Sequence, residues 1–207
     1  MVISKPSLLS MVLAGFFILA AIAVHFLHPE LDWVRYSLSN YAIVAYGKIL
    51  EIGLYCIGLS QIITALEIGK VYQKPTSAIL LVLVGLGAII VGIFPMDPGP
   101  NRTITGLMHT VGAFLEFALF PMAVSIIGCK LFQGRAKKYT LITGIATLIM
   151  FLLVFLGYFF YKESTVFGLI EKIDISLIAG WSFLIPYLMR ERKNEARERR
   201  KHNEINY

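Results

Sequence analysis

Six apolar stretches, each long enough to cross a membrane or nearly so and separated by short polar punctuation, constrain this chain more than any other feature. They run over roughly 8–28, 42–68, 77–95, 104–129, 139–160 and 168–189. A helix needs about 20 mostly apolar residues to cross the hydrocarbon core of a bilayer. Of the 207 residues, 57% are hydrophobic and only 15% are charged, with a mean hydropathy of +0.72. A soluble domain carries about 25% charged residues on a largely polar surface. The expected fold class is therefore all-α: a polytopic membrane protein whose six-helix transmembrane domain spans 1–189, followed by a basic cytoplasmic tail over 190–207. Its solvent and first partner is the lipid bilayer. Lys5, the apolar run behind it and "AIA" at 21–23 resemble a signal peptide, but the segment is read as a retained first helix.

Charge placement sets the orientation. With both termini in the cytoplasm, 14 of the 19 Lys and Arg fall on the inner side: Lys5, Lys70, Lys74, Lys130, Arg135, Lys137, Lys138 and seven from Arg190 to Lys201. That follows the positive-inside rule and gives a multi-pass protein of the plasma membrane. The net charge of +6 sits in short loops and one tail rather than in a groove, which excludes a nucleic-acid partner. The two cysteines, Cys56 and Cys129, lie inside apolar segments and are expected as buried thiols without a disulfide.

The acids divide the other way. Glu51, Asp97, Glu116, Glu171 and Asp174 belong to outer loops or to helices descending from them. An ionisable group inside a membrane is costly unless paired or hydrated, which makes each a functional candidate. Lys48 and Glu51, three residues apart, share one face of the second span, where Lys48 could also reach Glu116. His109 and Glu116 share a face of the fourth; Glu171 and Asp174 share one on the sixth. The third and fifth spans carry no charge. A weak internal echo relates Asp32–Gly47–Glu51 to Asp97–Gly112–Glu116. The expectation is a polar pocket, open outward, among the second, fourth and sixth spans. The stretch "GIFPMDPGPNRTITGLMHTVGAFLEF" (92–117) leads into it: prolines stop one helix, Asn101 and Thr103 can cap the next, and Asp97 and His109 mark the mouth and upper wall. "KPTS" (74–77) offers Pro75 and two hydroxyl caps before the third span.

The Ser and Asn run before the second span, "GIFPMDPG" before the fourth, the early histidine of that helix and "GLIEKIDISLIAGW" in the sixth together resemble a family. It is domain-of-unknown-function family nine hundred and ninety-eight, six-helix membrane proteins of archaea and bacteria. The resemblance implies that Ser39, Asn40, Asp97, His109, Glu171 and Trp181 match the family pattern. One departure is Glu171-Lys172, where family members often read Glu-Arg.

Three chemistries fit these residues. The first is a membrane-embedded hydrolase or transferase acting on a lipid-linked or amphiphilic substrate. His109 would be its base or metal ligand, Asp97 would orient His109 or share the metal, and Ser37 or Ser39 would be the nucleophile. Glu116 and Glu171 would assist, with Asn40, Arg102, Lys48, Glu51, Asp174 and Trp181 holding the substrate. A divalent metal such as zinc would take His109, Asp97 and His28. The second is a proton-coupled small-solute transporter using Asp97, His109, Glu116, Lys48 and Glu51 as a protonation path. The third is haem b held between His25 or His28 and His109.

Overall fold

The structure is a computed structural model that describes residues 4–72, 75–99, 101–160 and 166–205, the side chains of 75–77, 157–160 and 190–205 excepted. It is all-α. Seven helices follow one another among the described residues: α1 (Lys5–Leu27), α2 (Leu38–Ala42), α3 (Gly47–Tyr72), α4 (Pro75–Ile93), α5 (Ile104–Lys130), α6 (Gly134–Phe160) and α7 (Phe167–Ile205). Four of them are long and apolar enough to cross a membrane, over Lys5–Leu27, Gly47–Tyr72, Ile104–Lys130 and Gly134–Leu156; α4 adds a shorter apolar stretch, Ala78–Ile93. The second expected stretch divides at Tyr46, whose left-handed φ of 59° turns the chain sharply between the short α2 and the long α3.

The six long helices close in a ring, in the order α3, α4, α5, α6, α7, α1 and back to α3. Small residues and hydroxyls make the seams, as expected where lipid leaves no hydrophobic drive between helices. Between α3 and α4, a Cβ on Gly58 would lie 2.5 Å from the Gly85 carbonyl oxygen; between α4 and α5, one on Gly87 would lie 2.7 Å from that of Gly112. The α1–α3 seam is polar. Ser60 donates to the Ser10 carbonyl (2.8 Å), Ser10 and Thr64 share a hydroxyl bond (2.8 Å), and Ser7 and Ser4 donate to Glu67 at 2.6 and 3.0 Å. Interhelical bonds of this kind contribute about 0.6 kcal/mol each.

The lower end of the ring, beside Lys130–Gly134, is filled. Phe120, Trp181, Ile127, Ile178 and Ile185 are fully buried there. Trp181 meets Phe120 edge-on at 5.4 Å and donates to Thr140 at 3.1 Å. The upper end is looser and is covered by residues 28–46. Lys172 of α7 holds that segment by donating to the carbonyls of Trp33 (2.8 Å) and Tyr36, with its ammonium 5.2 Å from the Tyr41 ring centre. Cys56 is half-buried and Cys129 is exposed, both free, so the expectation of two buried thiols holds for neither in full: Cys129 lies on the exposed side of the last turn of α5. The hydroxyls of "KPTS" and the side chains of the basic tail lie outside the described residues.

Candidate functional site: a cavity below the upper loops

The break before α5 is built by Asp97. Its carboxylate accepts the Thr103 hydroxyl at 2.6 Å and the Thr103 N–H at 3.0 Å, while Thr103, the N-cap, accepts the Gly106 N–H at 3.1 Å. These bonds hold the Asp97 carboxyl below its usual range, with the charges of His109 and Arg102 adding to the effect. A Cβ at position 106 would strike this carboxylate, so only glycine lets Asp97 sit on the first turn. The capping expected of Thr103 is therefore present, and it fixes where His109 stands: five residues into α5, about 7.5 Å below its start.

His109 is half-buried and does not bond Asp97. Its Nδ1 lies 2.9 Å from the Phe94 carbonyl oxygen and its Nε2 lies 3.2 Å from Ser39 Oγ. A carbonyl oxygen only accepts, so Nδ1 carries the proton and the Nε2 lone pair faces the Ser39 hydroxyl. The orienting group expected to be Asp97 is thus the Phe94 carbonyl; Asp97 is committed to the helix cap instead. Ser39 comes from α2, whose start is closed by a capping box in which Asn40 Oδ1 accepts from both the N–H and the hydroxyl of Ser37 at 2.9 Å. That bond places Asn40 in the support of Ser39 rather than in the cavity wall.

Ser39, His109, Asp97, Arg102, Glu51, Glu116 and Glu171 all line one cavity of about 900 Å³, within the range of small-molecule and cofactor sites. Most of the remaining wall is apolar, with Phe114, Phe117, Phe151, Phe155 and Phe167. The cavity also reaches the side of the bundle. Leu107, Val111 and Phe114 lie on one face of α5, line the cavity and are exposed; so does Phe155 across the gap on α6. The buried residues of α6 stop at Thr147, with none from Leu148 to Leu156, so its upper half leans away from the core. Phe114 and Phe151, with ring centres 6.2 Å apart, form the sill of this side opening.

Behind the cavity lies a group of acids. Glu116 and Glu171 are 6% exposed and Asp174 is not exposed at all. Glu116 feels the charge of Glu171, and Asp174 feels both. Glu171 is bonded to the Leu38 backbone and the Ser37 side chain. Among the described residues its Oε2 and both carboxyl oxygens of Asp174 have no partner, nor does the amide of Gln61. Gln61, fully buried on α3, was not singled out from the sequence; an amide among apolar residues of a long span was its only signal.

Other expected members fall elsewhere. Lys48 is largely exposed and pairs with Glu51 at 2.7 Å, not with Glu116. Trp181 belongs to the packed lower end. His28 is bonded to Glu30 through Nδ1 (2.6 Å) and to the Ala45 carbonyl through Nε2, and His25 to the Ala21 carbonyl (2.6 Å) and the Tyr41 ring. The mutual bond of His28 and Glu30 raises His28 and lowers Glu30 from their ordinary pKa values. Among the described residues no three His, Cys, Asp or Glu side chains converge to hold a metal ion. The set His109, Asp97 and His28 is not assembled, because His28 is bonded to Glu30 and the Ala45 carbonyl and Asp97 to Thr103. The haem pairing meets the same obstacle: both ring nitrogens of His28 and of His109 already face protein atoms. The echo between 32–51 and 97–116 has no common role, since Asp32 accepts from Val34 and Arg35 N–H groups and Glu51 pairs with Lys48.

The fold and cavity define an integral membrane protein of apolar helices with a polar site set into its upper half. The family model for the protein of unknown function (DUF998) matches residues 11–185, and the chain belongs to that family. No curated protein and no solved structure matches it.

Proposed function

We propose that the chain is a six-span protein with both termini cytoplasmic, and that its cavity is the active site of a serine hydrolase or transferase acting on a lipid-linked or amphiphilic ester. The single observation that carries the chemistry is the Ser39–His109 bond, with the Nε2 lone pair aimed at the hydroxyl and Nδ1–H held by a carbonyl. A serine becomes a nucleophile when a neighbouring base takes its proton. In the reaction, Ser39 Oγ bonds to the substrate acyl carbon while its proton moves to His109 Nε2. The bond from that carbon to the leaving oxygen then breaks, and His109 returns the proton to the leaving alcohol. Water, or a second alcohol in a transferase, gives its proton to His109 and attacks the acyl carbon; the bond from that carbon to Ser39 Oγ breaks, and His109 returns the proton to Oγ. The apolar walls and the side opening support an amphiphile as the substrate, its chain reaching the cavity from the bilayer. Six spans are supported by the apolar stretches of α4 and of α7 up to Met189, and cytoplasmic termini by the distribution of Lys and Arg.

Transport through Asp97, His109 and Glu116 would need a second opening below Glu116. That path is occupied by Phe120, Trp181 and Ile185, all fully buried. The test is covalent labelling in mild detergent with an alkyl fluorophosphonate, which reacts with activated serines. Wild type is expected to label, and Ser39→Ala and His109→Ala are not, with all three melting alike. Undiminished labelling of Ser39→Ala overturns the reading.

A further inference from the structure

We infer that the part of this cavity next to Ser39 binds a positively charged organic group, an ammonium, so that the amphiphile is cationic. This deepens the proposed function by naming the charge of its substrate. The first ground is an imbalance of charge. Glu116 and Glu171 form part of the cavity wall, and Asp174 stands behind them, within electrostatic reach of both. Three carboxyls this far from water cannot all be ionised unless a positive charge joins them. One nearby cation, Lys172, acts on Glu171 through its charge while its hydrogen bonds go to the Trp33 and Tyr36 carbonyls, so it offsets at most one of the three charges. Lys48 pairs with Glu51, and Arg102 stands exposed at the mouth.

The second ground is the orphaned atoms. Glu171 Oε2 and both Asp174 oxygens are buried without a partner, where an unmade bond costs about 1–3 kcal/mol, and more for a charged group. They are acceptors awaiting a donor or a cation. A compact metal ion does not suit them, because these carboxyls do not converge as ligands would. A bulkier ammonium suits a cavity of about 900 Å³ with Phe117 in its wall, since an aromatic ring attracts such a cation when the two meet face-on. Position completes the case. Glu171 is bonded to the backbone of Leu38, the residue before Ser39, so the charge would sit beside the nucleophile rather than at the far end of the chain.

The test is calorimetric titration of the detergent-solubilised full chain with choline and with its uncharged isostere 3,3-dimethylbutan-1-ol. Choline is expected to bind at least tenfold more tightly. Glu171→Gln with Asp174→Asn should remove that preference, and Glu67→Gln, at the other end of α3 and outside the cavity, should retain it. Equal affinity of wild type for the two probes overturns the inference without reference to any variant, as does stabilisation by sodium chloride equal to that by choline chloride. Binding by Ser39→Ala is expected to be unchanged. Ammonium binding with no serine labelling would thus sink the hydrolase alone, and labelling without ammonium preference would sink this inference alone.

Discussion

The contact between Gly87 and Gly112 sets how far α5, and with it His109 and Glu116, stands from α4. A Cβ built on Gly87 lies 2.7 Å from the Gly112 carbonyl oxygen, 2.8 Å from Glu116 N and 3.0 Å from Leu115 Cβ. The first two of these are backbone atoms and cannot rotate aside. Reaching ordinary contact at 3.4 Å requires the helices to part by roughly 0.7 Å, and overpacking of this order costs about 1–3 kcal/mol. Alanine returns up to about 1 kcal/mol through helix propensity. Gly180 is the internal control, for it is mid-helix on α7 and its Cβ would meet only Tyr139 Oη at 3.7 Å. Gly180→Ala should therefore gain up to about 1 kcal/mol, and the two variants should differ by about 1–3 kcal/mol. At about 2–4 °C per kcal/mol for a chain of this size, a thermal melt in mild detergent resolves them. If Gly87→Ala melts at or above Gly180→Ala, α5 is not held by this contact and the placement of His109 needs another cause.

Trp181→Phe keeps the edge contact with Phe120 but leaves the buried Thr140 hydroxyl without its donor, so the melt should report a loss of about 1–3 kcal/mol; an unchanged melt would show that the bond contributes nothing. Lys172→Met should free the Trp33 and Tyr36 carbonyls and loosen the 28–46 segment, seen as faster amide exchange there and slower fluorophosphonate labelling of Ser39. Exchange or labelling equal to wild type would mean that α2 is held without this lysine. The His28–Glu30 contact makes the same segment sensitive to pH. His28 is raised from 6.5, so its stabilisation is fully present below that value and is lost as pH rises through the higher folded value. Glu30 is lowered from 4.5, so its share is present above that value and is lost as pH falls through the lower one. Protection of the Ala45–Gly47 amides should be greatest between the two and fall in alkali; His28→Gln should abolish the dependence, and a flat profile in wild type would refute it.

The apolar runs gave away the helices because lipid forces a simple code: about 20 apolar residues must close their own hydrogen bonds. The break at Tyr46 was invisible to that code, since the run from Ala42 onward reads as one greasy stretch and only the folded chain shows Ala42 pressed against Gly47. Acids inside apolar stretches pointed to a neighbourhood, and Glu51, Glu116 and Glu171 do line one cavity. The partners were not legible. Asp97 and His109 stand twelve residues apart around a loop, and nothing in that spacing says that the carboxylate will take Thr103 while the imidazole takes the Phe94 carbonyl. Lys48 shows the same limit: both Glu51 and Glu116 were candidates, and helix geometry favours the near one, three residues away on the same face.

The position of the dyad relative to the acids bears on mechanism more than either group does alone. Glu171 is tied to Leu38, and Ser39 is bonded to His109, so α2 is a five-residue bridge between α7 and α5. A change that moves α2 alters Ser39 and the acid group together. Phe120 and Trp181 are packed below this bridge, while Leu107, Val111 and Phe114 are exposed beside it. On the proposed reading the way in is sideways, from among the acyl chains, with the polar atoms at the inner end of that path. In such an arrangement an apolar chain remains in an apolar surrounding throughout entry. The partnerless oxygens of Asp174 and Glu171 then offer the gain that draws a charged group from the interface into the cavity, which is a reason for acids to stand beside a serine and a neutral histidine.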